Sequence, residues 1–467
     1  MAPTIEISNI LKLNKQDSNV DSVIKQFTYP NPRFYENLRL GFSNFGTPRN
    51  ICLAGDTGND HLILPRGLIK ELFLKIPDME IVDKTVTNSV HYSPSNIILR
   101  DYQQEPVKQM LKRNQGIIVS PPGSGKTVMG IEVVVKRSNK SLLLVHTTDL
   151  AEQLYEQFKT FTDIIPGIIN ARRFEVRDVT IGMVQSLNKP LEESFVKQFG
   201  LIMLDEAHHA PAFTFQNLIN QFPARFRYGL TATPERADGL TFILRGVMGP
   251  VLHEIKRDLL FLNGSILKPK IKAIHTNFYI PDCRDYGQLL SKIIQDNERN
   301  ALILNYIHNE ASQGHYCLIL SERINHVRSL HKAFSALWPE IKAVCLTSKN
   351  SKTERSLAIR AMNQGEINVL FATKLADEGL DIRRLDRLFL TCPIRSTNKV
   401  KQQTGRILRT FPGKEDAVVY DFLDSLCSLA NSQFYTRKNG AYVGYEIEEI
   451  QYNKEINFGN TDSKETV

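Results

Sequence analysis

The chain has 467 residues, of which 42% are hydrophobic and 23% are charged, and its formal net charge is +8 at pH 7. No apolar run approaches the ~20 residues of a membrane span, and the amino terminus lacks the basic flank and apolar core of a secretory signal. The positive charge is compatible with a polyanionic partner. The six cysteines are scattered without a Cys-x-x-Cys pair, which argues against a zinc site or a disulfide framework and favours a reducing compartment.

The first 95 residues are predicted to form a small accessory module. Residues 1–25 are polar and weakly patterned, so a loose arm is expected there. Two short apolar runs, 51–54 and 61–64, flank a Gly- and Asp-rich stretch and predict a hairpin. Residues 65–76 then show helical spacing of their apolar side chains. The module is therefore expected to be β-rich or α+β.

From residue 97 onwards, apolar runs typical of strands alternate with helical stretches. Repeated β-α units of this kind predict an α/β fold with parallel sheets covered by helices. Two such series occur, separated by a basic, turn-rich region, and the acidic tail is expected to fray. The predicted bounds are 1–95 for the accessory module, 96–255 for a first lobe, 256–285 for a linker, 286–445 for a second lobe and 446–467 for the tail.

A glycine-rich loop follows the apolar run 116–119 and precedes a helical run, which is the context of a phosphate-binding loop. Glycine lets the backbone aim its N–H groups at phosphate oxygens, and the next helix directs its positive end at the anion. Ser120 stands where the pattern has its first Gly, and its small size makes the change tolerable. Lys126 can reach the β- and γ-phosphates, and Thr127 can ligate Mg²⁺. The residues predicted to contact the nucleotide are Pro122, Gly123, Ser124, Gly125, Lys126 and Thr127.

Two adjacent acids follow the apolar run 201–204. Both carboxylates therefore lie at the carboxyl edge of a predicted strand, where open α/β sheets bind their ligands. Asp205 is expected to hold Mg²⁺ through water, and Glu206 to orient and deprotonate the attacking water. His208 is interpreted as a polar link to the rest of the site, because adjacent histidines are poorly spaced for one metal.

Two further segments complete the set. Thr231 and Thr233 follow another short strand and could couple the acids to the nucleotide state. Further on, Gln402, Arg406 and Arg409 would fall on one helical face at i, i+4 and i+7. Paired guanidinium groups suit a γ-phosphate whose charge builds up during transfer, although a basic surface helix is the plainer alternative.

In order and spacing, these motifs resemble those of superfamily 2 helicases and translocases. The matching segments are the loop at 120–127, Asp-Glu-Ala-His at 205–208, Thr-Ala-Thr at 231–233 and Gln-x-x-Gly-Arg-x-x-Arg at 402–409. Segments 231–239 and 418–422 are most similar to the XPB/UvsW-type DNA branch. Residues 31–72 loosely resemble the small DNA-recognition modules of XPB-like proteins.

The resemblance implies two tandem RecA-like lobes that bind ATP and Mg²⁺ between them. It makes Lys126, Glu206, Arg406 and Arg409 catalytic and assigns Gln402 to the nucleotide. It places Gln103 on the adenine base, because residues 99–103 are similar to the adenine-reading motif. The implied nucleic-acid contacts are Thr147, Ser186, Ser321 and Thr373, and the implied coupling residues are His208, Thr231, Thr233 and Asp381.

The expected function is therefore that of an ATP-dependent DNA helicase or translocase acting on branched or forked DNA. Three alternatives stay open: a duplex-DNA translocase that does not separate strands, an RNA helicase, and a nucleic-acid scaffold with a vestigial ATPase. The expected partner is nucleic acid, most of all DNA, with no membrane partner. The expected location is the cytoplasm, at the nucleoid if the source is bacterial.

Overall fold

The structure is a computed structural model, and it describes residues 3–17, 20–56, 60–205, 212–232, 238–281, 283, 285–373 and 382–451. The chain divides into two compact units, 1–257 and 258–467. The first unit contains the amino-terminal module and one parallel sheet, and the second contains another parallel sheet.

The amino-terminal module begins the chain with short strands and helices. Its elements are β1 (Thr4–Ile7), β2 (Ile10–Asn14), a 3-10 helix (Lys15–Asp17), α1 (Val20–Gln26), β3 (Thr28–Pro30), α2 (Pro32–Leu40), β4 (Asn50–Cys52), β5 (Gly55–Asp56), β6 (His61–Pro65), a 3-10 helix (Arg66–Leu68), α3 (Ile69–Lys75) and β7 (Glu80–Asp83). Five strands form a mixed sheet in the order β5-β6-β2-β1-β7, and β3 pairs separately with β4. Only β1 and β7 pair in parallel among these described strands.

Two expectations for this module are wrong in part. Residues 1–25 are not a loose arm, because β1 and β2 are inner strands whose Ile5, Leu11 and Leu13 are fully buried. The predicted hairpin partner of β6 is also shifted: β5 pairs with β6, whereas β4 pairs with β3. The apolar run 51–54 therefore belongs to a different pairing from the one that its spacing suggested.

A buried arginine ties the module to the first lobe. The guanidinium of Arg66 donates to the carbonyls of Ser8 at 3.2 Å, Ala224 at 2.6 Å and Arg225 at 3.1 Å, and to Oε1 of Gln115 at 2.9 Å. Burial lowers the pKa of Arg66 to about 9. Apolar side chains of the module and lobe also share one buried cluster, so the two pack as one body.

The first lobe is a seven-stranded sheet in the order β10-β11-β9-β12-β13-β8-β14, and every pairing is parallel. Its strands read as apolar runs because helices cover both faces. Its elements are α4 (Asp101–Lys112), β8 (Gln115–Val119), α5 (Lys126–Arg137), β9 (Ser141–Val145), α6 (Thr148–Phe161), β10 (Gly167–Ile169), β11 (Val179–Met183), α7 (Val184–Leu187), α8 (Glu193–Val196), β12 (Leu201–Asp205), α9 (Ala212–Ile219), β13 (Phe226–Thr231), α10 (Thr241–Met248) and β14 (Val251–Glu254).

The second lobe is also a seven-stranded, parallel sheet, in the order β17-β18-β16-β19-β20-β15-β21. Counted within each lobe, both sheets have the same strand order, 3-4-2-5-6-1-7. Its elements are α11 (Arg257–Leu262), β15 (Lys270–His275), α12 (Tyr286–Ile293), α13 (Asn297–Ser312), β16 (Cys317–Leu320), α14 (Ile324–Leu337), β17 (Ala343–Leu346), α15 (Lys352–Gln364), β18 (Val369–Ala372), β19 (Arg387–Leu390), α16 (Thr397–Arg406), β20 (Val418–Leu423), α17 (Ser428–Lys438) and β21 (Glu446–Ile450).

The predicted α/β fold class, with two parallel-sheet lobes after a small module, is confirmed. Two ranges differ in detail from expectation. β15, an inner strand of the second sheet, lies in the range 256–285 that the sequence assigns to a linker. β21 pairs with β15, so the first residues of the predicted acidic tail do not fray. The exact domain bounds stay a prediction.

Among the described residues, no helix is both long enough and apolar enough to cross a bilayer.

Candidate nucleotide site and nucleic-acid interface

The glycine-rich loop joins β8 to α5 and adopts a backbone that needs glycine. Gly123 and Gly125 have φ angles of +83° and +80°, in the left-handed region that side chains disfavour. A Cβ atom on Gly125 would lie 2.4 Å from Nε2 of Gln103. Lys126 is the first residue of α5, so the loop delivers the chain directly to a helix amino terminus.

Ser120 fits the position where the motif has its first glycine. Among the described residues, Ser138 is the one non-glycine residue with a positive φ, so Ser120 has an ordinary backbone conformation. Its hydroxyl hydrogen-bonds that of Ser124, which also donates to the carbonyl of Pro121 at 2.6 Å. The interpretation of Ser120 as a tolerable change agrees with this geometry, since the hydroxyl joins the internal bonding of the loop.

Lys126 is buried and folds back over the loop. Its Nζ donates to the carbonyl of Ser120 at 3.2 Å, and only 8% of the residue is exposed. Thr127, the next residue, is partly exposed in the first helical turn. A phosphate bound to the loop would meet the amine and the backbone N–H groups from the same side.

The side chain of Gln103 is hydrogen-bonded to the phosphate-binding loop. Its Nε2 donates to the carbonyl of Ser124 at 2.8 Å, and its Oε1 accepts from the backbone N–H of Arg100 at 3.0 Å. Tyr102 donates its hydroxyl to the same carbonyl of Ser124 at 3.1 Å. Adenine recognition by Gln103 stays a prediction, and these hydrogen bonds connect its side-chain amide to the backbone of the phosphate-binding loop.

Two predicted residues lie at the carboxyl edge of the first sheet. Asp205 ends β12 and Thr231 ends the neighbouring β13. The carbonyl of Thr231 accepts from the backbone N–H of Ser120 at 2.9 Å, which joins this edge to the phosphate loop. Four predicted residues lie outside the described part of the chain: Glu206, His208, Thr233 and Asp381.

The oxygens at this edge suit a magnesium ion. Mg²⁺ takes oxygen ligands and is usually held by one or two carboxylates together with substrate phosphates. Asp205 supplies a carboxylate and Thr127 a hydroxyl from two elements that end or begin at this edge. These two residues therefore fit a nucleotide-borne Mg²⁺, and their assignment as its ligands stays a prediction.

The predicted nucleic-acid contacts of the first lobe follow β9 and β11. Thr147 caps α6, and its Oγ1 accepts from the backbone N–H of Leu150 at 3.2 Å. Ser186 lies in the short helix after β11, where Gln185 donates to the carbonyl of His146 at 2.9 Å. A hydroxyl that accepts one bond can still donate its proton to a phosphate oxygen, so the cap is compatible with the predicted role of Thr147.

Ser321, at the end of β16, is committed to an internal chain of hydrogen bonds. Asn300 donates its amide to the carbonyl of Ile294 at 3.1 Å, so its Oδ1 faces Nε2 of His326 at 2.9 Å. Burial lowers the pKa of His326 to about 3, so the ring is neutral, with Nε2 as the donor and Nδ1 as the acceptor. Nδ1 therefore accepts a hydrogen bond from the hydroxyl of Ser321 at 2.9 Å. A phosphate contact through this hydroxyl would first require that bond to break.

A small cavity opens at this edge of the second sheet. Both predicted contacts of this lobe, Ser321 and Thr373, line it, together with an ion pair between Lys399 and Glu322. Its lining residues are Leu320, Ser321, Glu322, Thr373, Cys392, Ile394, Lys399 and Gln403. The structure therefore brings together the two predicted contacts of the second lobe.

The predicted helical face of Gln402, Arg406 and Arg409 is wrong in its last member. α16 ends at Arg406, and the backbone N–H of Ile407 closes a tighter bond to the carbonyl of Thr404 at 3.0 Å. Arg409 lies beyond the helix in a bridge with Ile266. Arg409 therefore lies in a loop, whereas Gln402 and Arg406 lie in the helix.

Lys414 supports that loop and was not singled out by the sequence. Its Nζ donates to the carbonyls of Leu385 at 2.5 Å, Ile407 at 2.6 Å and Arg409 at 2.8 Å. Burial is the main cause that lowers the pKa of Lys414 to about 8. No motif marks this lysine, because its role depends on three backbone carbonyls that the fold brings together.

A family model of the res subunit of type III restriction enzymes matches residues 96–236. A model of the conserved C-terminal domain of helicases matches residues 298–411. The DNA 3′-5′ translocase XPB2 of Sulfurisphaera tokodaii is 28% identical over 366 residues, which span 70% of this chain and 83% of that protein. An Acanthamoeba polyphaga mimivirus protein that carries the name ATP-dependent RNA helicase L396 is 29% identical over 357 residues, 73% of this chain and 67% of that protein.

A solved structure supports the fold. The ATP-dependent Type ISP restriction-modification enzyme LlaBIII bound to DNA superposes with a TM-score of 0.58. The match covers 77% of this chain and 32% of that longer chain at 15% identity. At this identity the likeness concerns the fold alone, and it agrees with two RecA-like lobes.

Together, the two lobes and the two matched models define the chain as an ATP-dependent helicase or translocase. It belongs to superfamily 2, and proteins of the XPB and Rad25 type are among its distant relatives.

Proposed function

We propose that this chain couples ATP hydrolysis to movement along DNA and acts on branched or forked DNA. The observation that carries the proposal is the loop between β8 and α5, with its two left-handed glycines and Lys126 at the helix start. The likeness to a DNA 3′-5′ translocase supports DNA as the track and favours 3′-to-5′ movement. The cytoplasm is the proposed location.

Each catalytic role follows from the chemistry of its side chain. The loop N–H groups and Lys126 would hold the phosphates, and Asp205 and Thr127 would hold the Mg²⁺, which neutralises charge on the phosphoryl group. Glu206 would orient the attacking water. Arg406 and Arg409 of the second lobe would stabilise the charge that develops on the γ-phosphate.

Contacts to the phosphate backbone would carry the movement. Such contacts contain no sequence information, so binding is expected to be insensitive to sequence and to weaken steeply with salt. Thr147, Ser186 and Thr373 are the proposed hydroxyl donors, whereas Ser321 would first have to release His326.

The test is ATP turnover by the purified chain with no nucleic acid, single-stranded DNA, duplex DNA, forked DNA or RNA. We expect DNA to stimulate turnover, most strongly when it is forked. Lys126→Ala should abolish turnover, and Glu206→Gln should abolish it while nucleotide binding persists. Lys108→Ala, on the exposed face of α4, is the matched control. Turnover that survives Lys126→Ala would contradict the proposed site.

An RNA helicase is the second candidate, because a relative of similar identity carries that name. Stimulation by RNA alone would replace DNA with RNA as the track and leave the nucleotide site unchanged. Strand-separation assays on forks, Holliday junctions and RNA duplexes would distinguish unwinding from translocation without unwinding.

A further inference from the structure

The connection between β3 and β4 exposes an unusual number of large apolar side chains. α2 buries none of its residues, and the loop that follows it is equally open. Phe45 is 99% exposed, Leu38 65% and Phe42 64%, and Tyr35 is also exposed. Exposed apolar clusters of this kind mark interaction surfaces more often than isolated ones do. We call α2 and residues 41–49 the α2 platform.

The α2 platform is held in one shape by its own hydrogen bonds. The backbone N–H of Asn31 donates to the carbonyl of Arg49 at 3.0 Å and closes the connection. Inside it, Asn37 donates its side-chain amide to Oδ1 of Asn44 at 3.1 Å, and Phe42 donates its N–H to the carbonyl of Asn37 at 2.8 Å. The aromatic rings are therefore presented by a built loop, which lowers the entropy lost on binding.

The charges of the α2 platform favour an anionic ligand. Residues 31–49 contain the cations Arg33, Arg39 and Arg49 and the single acid Glu36. Arg49 donates its Nε to the hydroxyl of Tyr35 at 3.4 Å, so a guanidinium lies beside an aromatic side chain. Exposed rings between cations form the surface that stacks bases while its charges contact phosphates.

The base of the α2 platform packs against the first lobe. Tyr29 of β3 stacks on Phe242 of α10 with ring centroids 4.4 Å apart. Pro32 contacts Gly239, where a Cβ atom would lie 2.8 Å from its Cγ. Gly239 lies just before α10 and Phe242 within it, so the platform is anchored to the first lobe at the start of that helix.

We propose that the α2 platform binds unpaired nucleotides by stacking their bases on Phe42 and Phe45, with the arginines on the flanking phosphates. The inference rests on the proposed function and deepens it, since it explains why the chain would bind forks and branch points more tightly than plain duplex DNA. Bases inside a duplex are already stacked on each other, and an unpaired base is free to stack on a side chain.

The test measures binding of labelled single-stranded, duplex and forked DNA by fluorescence anisotropy without ATP. The variant is the full chain with Phe42→Ala and Phe45→Ala. We expect its affinity for single-stranded and forked DNA to fall at least about fivefold, which is the smallest loss expected for one stacking contact. Affinity for blunt duplex should change less than about twofold. Leu74→Ala, an exposed apolar residue of the same module, is the control.

A spectroscopic variant reports stacking directly. Phe45→Trp should keep the affinity of the wild type, and its added fluorescence should be quenched when single-stranded DNA binds. The wild type, with its single Trp338, gives the baseline. Turnover without nucleic acid should be unchanged in every platform variant, since none of these residues belongs to the ATP site.

Different failures would point to different errors. Unchanged DNA affinity in the double alanine variant, beside normal DNA-stimulated turnover in the wild type, would overturn the platform and leave the proposed function standing. A wild type that no nucleic acid binds or stimulates would overturn both. A wild-type dimer that the double alanine variant dissolves would assign the rings to self-association and overturn the platform.

Discussion

The two lobes share one strand order but end their first strands in different ways. In the first lobe, β8 leads into a glycine loop whose backbone N–H groups and Lys126 can meet an anion. In the second lobe, β15 leads to Thr276, which donates to Asp424 at 2.6 Å. The same carboxylate accepts from Nε of Arg299 at 2.7 Å and from Nη2 at 3.1 Å.

At the corresponding edge of the second lobe, these polar side chains are thus hydrogen-bonded to one another. Both side chains of the Arg299–Asp424 pair are fully buried, and Arg299 also donates to the carbonyl of Thr391 at 2.8 Å. One fold therefore supports a ligand-binding loop in one copy and an internal ion pair in the other. On this account the first lobe binds the nucleotide, and the second lobe contributes side chains.

The largest effect should come from the arginine that the second lobe is proposed to contribute. Arg406→Ala is expected to lower the turnover number about 10³-fold, because a guanidinium that stabilises the transferring phosphoryl group is lost. Arg395→Ala, an exposed arginine just before α16, is the control. The measurement is DNA-stimulated ATP turnover. A loss of DNA affinity with an unchanged turnover number at saturating DNA would favour a basic DNA-binding face.

The internal ion pair should be a strong determinant of stability. Asp424→Asn leaves the buried guanidinium of Arg299 without its counter-charge, so the second unit should lose about 3–5 kcal/mol of stability. Trp338 is the single tryptophan and lies in the second unit, so its fluorescence during urea unfolding reports that unit.

Glu449→Gln, which breaks partly exposed contacts with Lys438 and His275, should cost less than about 1 kcal/mol. Equal losses of stability in the two variants would mean that the buried ion pair stabilises the second unit no more than a surface pair does. That result would contradict the structural role given to the Arg299–Asp424 pair.

Lys414 should give the second unit a specific pH dependence. Burial lowers its pKa from 10.5 to about 8, so between these values the unfolded chain binds more protons than the folded chain. Stability relative to Lys414→Met should therefore rise as pH increases from about 8 to 10.5, by up to ~3 kcal/mol. Trp338 fluorescence in urea at several pH values measures it. Parallel wild-type and variant curves would contradict the lowered pKa.

The smallest effect should come from Ser120→Gly, which restores the usual residue of the loop. The hydroxyl contributes one internal hydrogen bond to Ser124, and such bonds are worth about 1 kcal/mol. We expect a stability change of that size and ATP turnover within about twofold of the wild type. A severe loss of turnover would show that the hydroxyl shapes the loop, and that the departure from the motif matters.

The sequence predicted what local patterns encode. Apolar runs predicted most strands of the two parallel sheets. The shape of the phosphate-binding loop could also be predicted, because a left-handed backbone favours glycine and the loop contains Gly123 and Gly125. Three of the four edge strands of the two parallel sheets were missed: β10 has only three residues, β14 ends in His253 and Glu254, and β21 is mostly acidic. The inner strands β1 and β2 were missed because each is short and contains only two apolar residues in alternating positions: Ile5 and Ile7 in β1, and Leu11 and Leu13 in β2.

Contacts between distant segments could not be predicted. Three sets of contacts join residues of different elements. They are the hydrogen bonds from Asn300 through His326 to Ser321, the ion pair of Arg299 and Asp424, and the hydrogen bonds from Lys414 to three backbone carbonyls. No spacing in the sequence marks them. The end of α16 before Arg409 was missed for a related reason, since the bridge to Ile266 decides the backbone there.

The most direct test of the account is an equilibrium titration of the full chain with a fluorescent ATP analogue and Mg²⁺. We predict one nucleotide per chain, with binding lost in Lys126→Ala and retained in Lys108→Ala. Two sites per chain, or binding that survives Lys126→Ala, would contradict the claim that the chain has a single nucleotide site built on the phosphate-binding loop of the first lobe.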